Sequence, residues 1–126
     1  MDFKRLLATL SLLALLGCAS ASKPSARADD ELKTGVQVAQ RGYWQEALFR
    51  FSRARDLKPT DAEVLNNLAV AQEALGKYDD ALATYKQALA IAPKSTVIRR
   101  NYARFAEFFT SYARGVKPKG GSDAPR

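Results

Sequence analysis

Carboxylates and one thiol are the side chains here with an evident capacity for chemistry. Asp29-Asp30-Glu31 and Asp79-Asp80 set acids side by side, as general acid–base work requires, and Cys18 is the single cysteine. Histidine is absent from all 126 residues. That excludes a Ser-His-Asp or Cys-His nucleophile pair and any imidazole metal ligand. The chain has no glycine-rich phosphate loop, metal-ligand spacing or nucleophile elbow, and one cysteine cannot build an internal disulfide framework. Both acidic clusters fall at expected helix starts, where negative charge meets the positive end of the helix dipole. The residues therefore read as those of a non-enzyme, with no cofactor and no metal.

Cys18 is placed by the segment before it. A basic start is followed by an apolar run at 6–16, broken only by Thr9 and Ser11. Spanning a bilayer takes about 20 apolar residues, so this run reads as a secretory signal, residues 1–17. Leu15-Leu16-Gly17-Cys18 resembles the lipobox of bacterial lipoproteins, although Leu16 stands where Ala or Ser is commoner. The resemblance implies cleavage before Cys18 and lipidation of its thiol. Three acyl chains would give a stable anchor where one would hold only marginally. An ordinary signal with an incidental cysteine, or a buried helix, are the alternatives. Ala19-Ser20, with no aspartate, is similar to the outer-membrane sorting pattern of enterobacterial lipoproteins; the outer leaflet of the inner membrane is the alternative. Residues 18–27, the cysteine followed by Ser, Ala, Lys, Pro and Arg without apolar periodicity, read as the lipidated residue and a flexible tether, at most about 35 Å long when extended.

The middle of the chain repeats. At an offset of 34, Gly42 falls on Gly76, Trp44 on Tyr78 and Ala47 on Ala81; Phe51 falls on Tyr85, Ala54 on Ala88 and Pro59 on Pro93. A period of this size marks a solenoid of stacked units. Apolar residues recur at helical spacing within each unit, glycine permits the reversal between paired helices, and proline stops the second helix. Helices are expected at 29–41, 44–57, 61–75, 78–91 and 95–114, the third opened by a Thr60–Glu63 capping box. The Gly and Pro breaks argue against the competing pattern, a long coiled coil. The repeated small and large apolar positions resemble the tetratricopeptide repeat. The resemblance implies an all-α solenoid of helical hairpins, with repeats at 28–61 and 62–95. In the first copy Glu31 and Thr34 replace large apolar residues, while Gly35 is retained.

Two repeats leave apolar ends uncovered, so a capping element is needed. Ile98, Tyr102, Phe105, Phe109 and Tyr112 lie on one helical stripe, which makes 96–115 the expected capping helix. Residues 116–126, with two Pro and two Gly, read as a frayed basic tail.

The tetratricopeptide resemblance implies a groove lined by the first helix of each pair, which takes an extended peptide or a helix of a partner protein. The groove positions are then Leu32, Val36, Asn66, Asn67, Val70, Glu73, Arg100, Asn101, Arg104 and Phe108. Phe108 lies off the core stripe and is the candidate anchor, with a second-layer packing contact as the alternative. Asn67 matches one asparagine of the carboxylate clamp for chaperone tails, but Leu32 and Val36 stand where its Lys and Asn are needed, so no such ligand is expected. Net charge is +7. For an exported chain that charge suits anionic headgroups or an acidic partner rather than nucleic acid, with Arg99, Arg100 and Arg104 expected to steer such a partner toward the groove; a merely solvated cationic face is the alternative.

These readings imply a membrane-anchored periplasmic scaffold that binds protein and no small-molecule substrate. In layout it resembles small lipoproteins of pilus assembly, of the tight-adherence and type IV pilotin kinds. The alternatives are an adaptor for peptidoglycan synthesis or outer-membrane protein assembly, and a structural lipoprotein that assembles with itself.

Overall fold

A computed structural model of the chain describes residues 23–115. The expected signal at 1–17, Cys18 and the tail at 116–126 lie outside the described residues. Five helices follow in order: α1 Pro24–Gln40, α2 Trp44–Leu57, α3 Ala62–Ala74, α4 Tyr78–Ile91 and α5 Thr96–Ala113. No strand occurs among the described residues. The α1–α2 and α3–α4 pairs form helical hairpins that stack through α2 and α3, and α5 lies on α4 and α3. This is the expected all-α solenoid.

The second helix of each pair has the predicted bounds, because the residues at its ends leave no other solution. Gly42 and Gly76 take φ of +82° and +74°, a conformation that costs other residues a Cβ clash. Lys58 and Ala92, each followed by proline, have left the helical region. Crowding by the proline ring forces that exit.

Two starts differ from the sequence reading. The cap of α3 is Asp61, not Thr60: the Asp61 carboxylate accepts hydrogen bonds from the Glu63 and Val64 amides at 2.9 and 3.2 Å. Helix α1 begins at Pro24, so residues 24–27 of the expected tether are helical. Proline suits that first position, since its φ is already helical and its missing N–H would have no partner there. The early start also moves Asp29, Asp30 and Glu31 out of the first turn. Asp29 and Glu31 act across the hairpin instead. Lys58 donates to Asp29 at 2.6 Å, and Glu31 takes Arg50 at 3.2 Å and Arg53 at 2.9 Å. Asp79 and Asp80 do lie in the first turn of α4, as expected.

Phe51, Ala47, Leu68 and Ala71 form the buried cluster between the hairpins. Gly35 lets α1 close on Phe51, since a Cβ there would stand 2.5 Å from the ring. A second cluster joins Ala69, Ala81, Tyr85 and Phe105, and a third joins Leu65, Ala88 and Ile98. Each large side chain so buried contributes roughly 1.5–3 kcal/mol relative to exposure. Helix α5 caps the stack through Ile98 and Phe105. The five-residue stripe is only partly inside. Tyr102 and Phe109 are half-buried, and Tyr112 is 57% exposed because α5 runs past the start of α4. No described helix is long and apolar enough to cross a membrane.

Candidate functional site

The first helix of each hairpin and α5 share one side of the stack, and a cleft of about 540 Å³ opens there. Val36 enters from α1, Ala62, Glu63, Asn66 and Asn67 from α3, and Val97 and Ile98 from α5, with Ala92 and Ser95 closing the end. The lining is mostly short apolar side chains, with amides and one carboxylate at its edge. Val97 is half exposed with no helix over it. Such a surface suits an apolar side chain of a partner whose backbone needs hydrogen-bonding groups nearby.

Ser95, Asn66 and Asn67 are each held by neighbours. Ser95 caps α5, its hydroxyl accepting from the Ile98 amide, which fixes Val97 and Ile98 at the rim. Asn67 donates to the Glu63 backbone carbonyl one turn earlier at 3.0 Å, which leaves its side-chain carbonyl as an acceptor. Asn66 is buried, and Asn101 donates to its side-chain oxygen at 3.1 Å, tying α5 to α3.

The expected groove residues divide by place. Val36, Asn66 and Asn67 meet at the cleft, and Asn101 stands behind it through Asn66. Leu32 packs on the Phe51 cluster and Val70 on the Tyr85 cluster. Phe108 is the packing contact: its ring meets Tyr78 edge-on at 5.1 Å and stacks on Tyr112 at 6.1 Å. The basic trio splits. Arg104 pairs with Glu73 at 3.3 Å, whereas Arg99 and Arg100 line a different cleft, beside the end of α4. Glu73 also accepts from the buried Tyr85 hydroxyl at 3.0 Å. Burial, reinforced by the Glu73 carboxylate, holds the Tyr85 phenol well above its ordinary ionisation range.

Ala62, Glu63, Ala92, Ser95, Val97 and Ile98 were not among the expected groove residues. The signal for Val97 lay in the 34-residue offset, which carries Glu63 onto it.

Stacked hairpins whose leading helices share an open cleft define a helical-repeat scaffold, a class whose sites are surfaces rather than enclosed pockets. The tetratricopeptide repeat family matches residues 62–95, the α3–α4 hairpin with its closing turn. This fold presents surface for protein–protein interaction. No curated protein matches the chain.

Proposed function

We propose that the protein is a bacterial lipoprotein, acylated at Cys18 and held at the outer membrane, whose helical hairpins seat a partner protein in the α1–α3–α5 cleft. The observation that carries the reading is the exposed Val97 side chain beside Val36 and Ile98, flanked by Asn66 and Asn67. One apolar side chain of an extended segment fills the space, and the Asn67 carbonyl accepts from that segment's backbone. The process served is pilus or secretion-system assembly. The support for that role is the layout: a signal-like start, one cysteine in a lipobox-like setting and a short hairpin stack.

Photocrosslinking in living cells from Val97, with Lys86 on the far side of α4 as control, tests the cleft. Capture of a pilus or secretion component from Val97 alone is the expected result. Equal capture from both positions overturns the cleft, and capture of an unrelated envelope protein overturns the pilus role. For the anchor, labelled palmitate should enter the wild type and not Cys18→Ser; equal labelling removes the lipoprotein reading.

A further inference from the structure

Helix α5 stands where α1 and α3 stand in their hairpins, yet among the described residues no helix pairs with it as α2 and α4 do with theirs. Moving α3 forward by 34 lays Leu65, Leu68, Ala69 and Gln72 on Arg99, Tyr102, Ala103 and Ala106. Two of these α3 positions meet α4, Leu65 clustering with Ala88 and Ala69 with Ala81 and Tyr85, while Leu68 turns toward α2 in the Phe51 cluster. In α5 the matching side is open. Arg99 and Ala103 are exposed, and Tyr102 and Ala106 are half-buried. A cleft of about 610 Å³ runs beside it, between Leu89 and Pro93 on one wall and Arg99, Tyr102 and Ala103 on the other. Residues 116–126 lack the apolar spacing of a helix that would fill this place.

The open side is complementary to itself. Arg99 and Glu107 lie four residues either side of Ala103, and Glu107 is the single acidic residue of α5. Both are exposed, and neither has an ion partner among the described residues. When two α5 helices cross antiparallel with Ala103 at the two-fold axis, each Arg99 meets Glu107 of the second copy, so the charge pair forms twice. Ala103 faces Ala103 and Ala106 lies alongside. These small side chains permit helix axes at about the 8 Å lower limit of helix packing. Two-fold contact of this kind uses the same patch on both subunits and closes after two copies.

We propose that the protein forms a two-fold dimer through α5, each copy occupying the other's vacant helix place, with reciprocal Arg99–Glu107 pairs setting the register. The inference does not depend on Cys18 acylation or on the α1–α3–α5 cleft, which stays open on another side of the stack.

A cysteine on a two-fold axis crosslinks to its own copy, so Ala103→Cys in the full chain, oxidised in cells, is the direct test. Wild type supplies the background from Cys18, and Ala90→Cys, exposed on α4, supplies a surface control. A disulfide-linked homodimer from Ala103→Cys alone is the expected result. In that background Arg99→Glu or Glu107→Arg should each cut the crosslinked fraction about tenfold, and the two together should restore it. Absence of the homodimer, a mixed disulfide with another protein in its place, or failure of the double reversal to rescue overturns the proposal.

Discussion

Gly35→Ala is a sharp test of how the first hairpin closes, because two opposing effects act at one carbon. In an exposed helix interior, alanine in place of glycine stabilises by about 1 kcal/mol through backbone entropy and propensity. Here the new methyl would stand 2.5 Å from Phe51 Cε1 and 2.7 Å from Cδ1. Carbon atoms in contact keep about 3.5–4.0 Å, so the ring must retreat by roughly 1 Å. Phe51 is 2% exposed and enclosed by Ala47, Leu68 and Ala71, so the retreat disturbs both hairpins. Overpacking of this kind costs about 1–3 kcal/mol. With little room to relax, the upper part of that range applies, and the net loss is about 1–2 kcal/mol. A loss of that size lowers the melting temperature of a domain this long by roughly 5–15 °C. Far-UV circular dichroism during thermal and urea unfolding reads the change. Phe51→Leu in the same background should recover part of it, giving a coupling of about 1 kcal/mol in a double-mutant cycle. A Gly35→Ala chain that melts higher than wild type would refute the close-approach argument, since only the entropy gain would then be acting.

Asp61→Ala removes the acceptor for two α3 amides and should cost about 1 kcal/mol by urea unfolding, whereas Thr60→Ala should change little. Tyr85→Phe deletes the donor to Glu73 and should cost about 1–3 kcal/mol, measured the same way. The same phenol gives an alkaline signature. Its folded ionisation lies above the unfolded value of 10.0, so above that pH the unfolded chain releases a proton that the folded chain keeps. Stability from this group is complete below pH 10 and falls as pH rises past it. The alkaline fall should be shallower in Tyr85→Phe; identical slopes would show that the buried phenol is not the cause. Glu31→Gln removes the carboxylate shared by Arg50 and Arg53. It should cost no more than about 1 kcal/mol, less in high salt, by thermal unfolding at two ionic strengths.

What the sequence made legible follows from how locally each feature is determined. Helices α2 and α4 could be bounded to the residue because Gly42, Gly76, Pro59 and Pro93 act through backbone sterics alone. The start of α1 was hidden because Lys23 to Arg27 has the composition of a linker. The contacts that reward its first turns, the burial of Ala28 and the Lys58–Asp29 pair, come from far along the chain. Pro24 was the available clue, as a first-turn proline. At the candidate site, a helical wheel separated Phe108 from the stripe of Phe105 but could not place Tyr78, whose ring occupies that side. The basic trio likewise looked like one patch because Arg99, Arg100 and Arg104 are close in number. At about 100° per residue Arg99 is turned roughly 140° from Arg104, and although Arg100 lies within roughly 40° of Arg104, only Arg104 of the three pairs with Glu73.

The early start of α1 also bears on posture. Five residues separate Cys18 from Pro24, so the leash between an acyl anchor and the first helix is at most about 22 Å rather than the 35 Å of a ten-residue tether. If Cys18 carries the proposed lipid, so short a leash would keep the start of α1 within about 22 Å of the bilayer surface and leave α5, at the other end of the stack, free to reach outward like the tip of a mast.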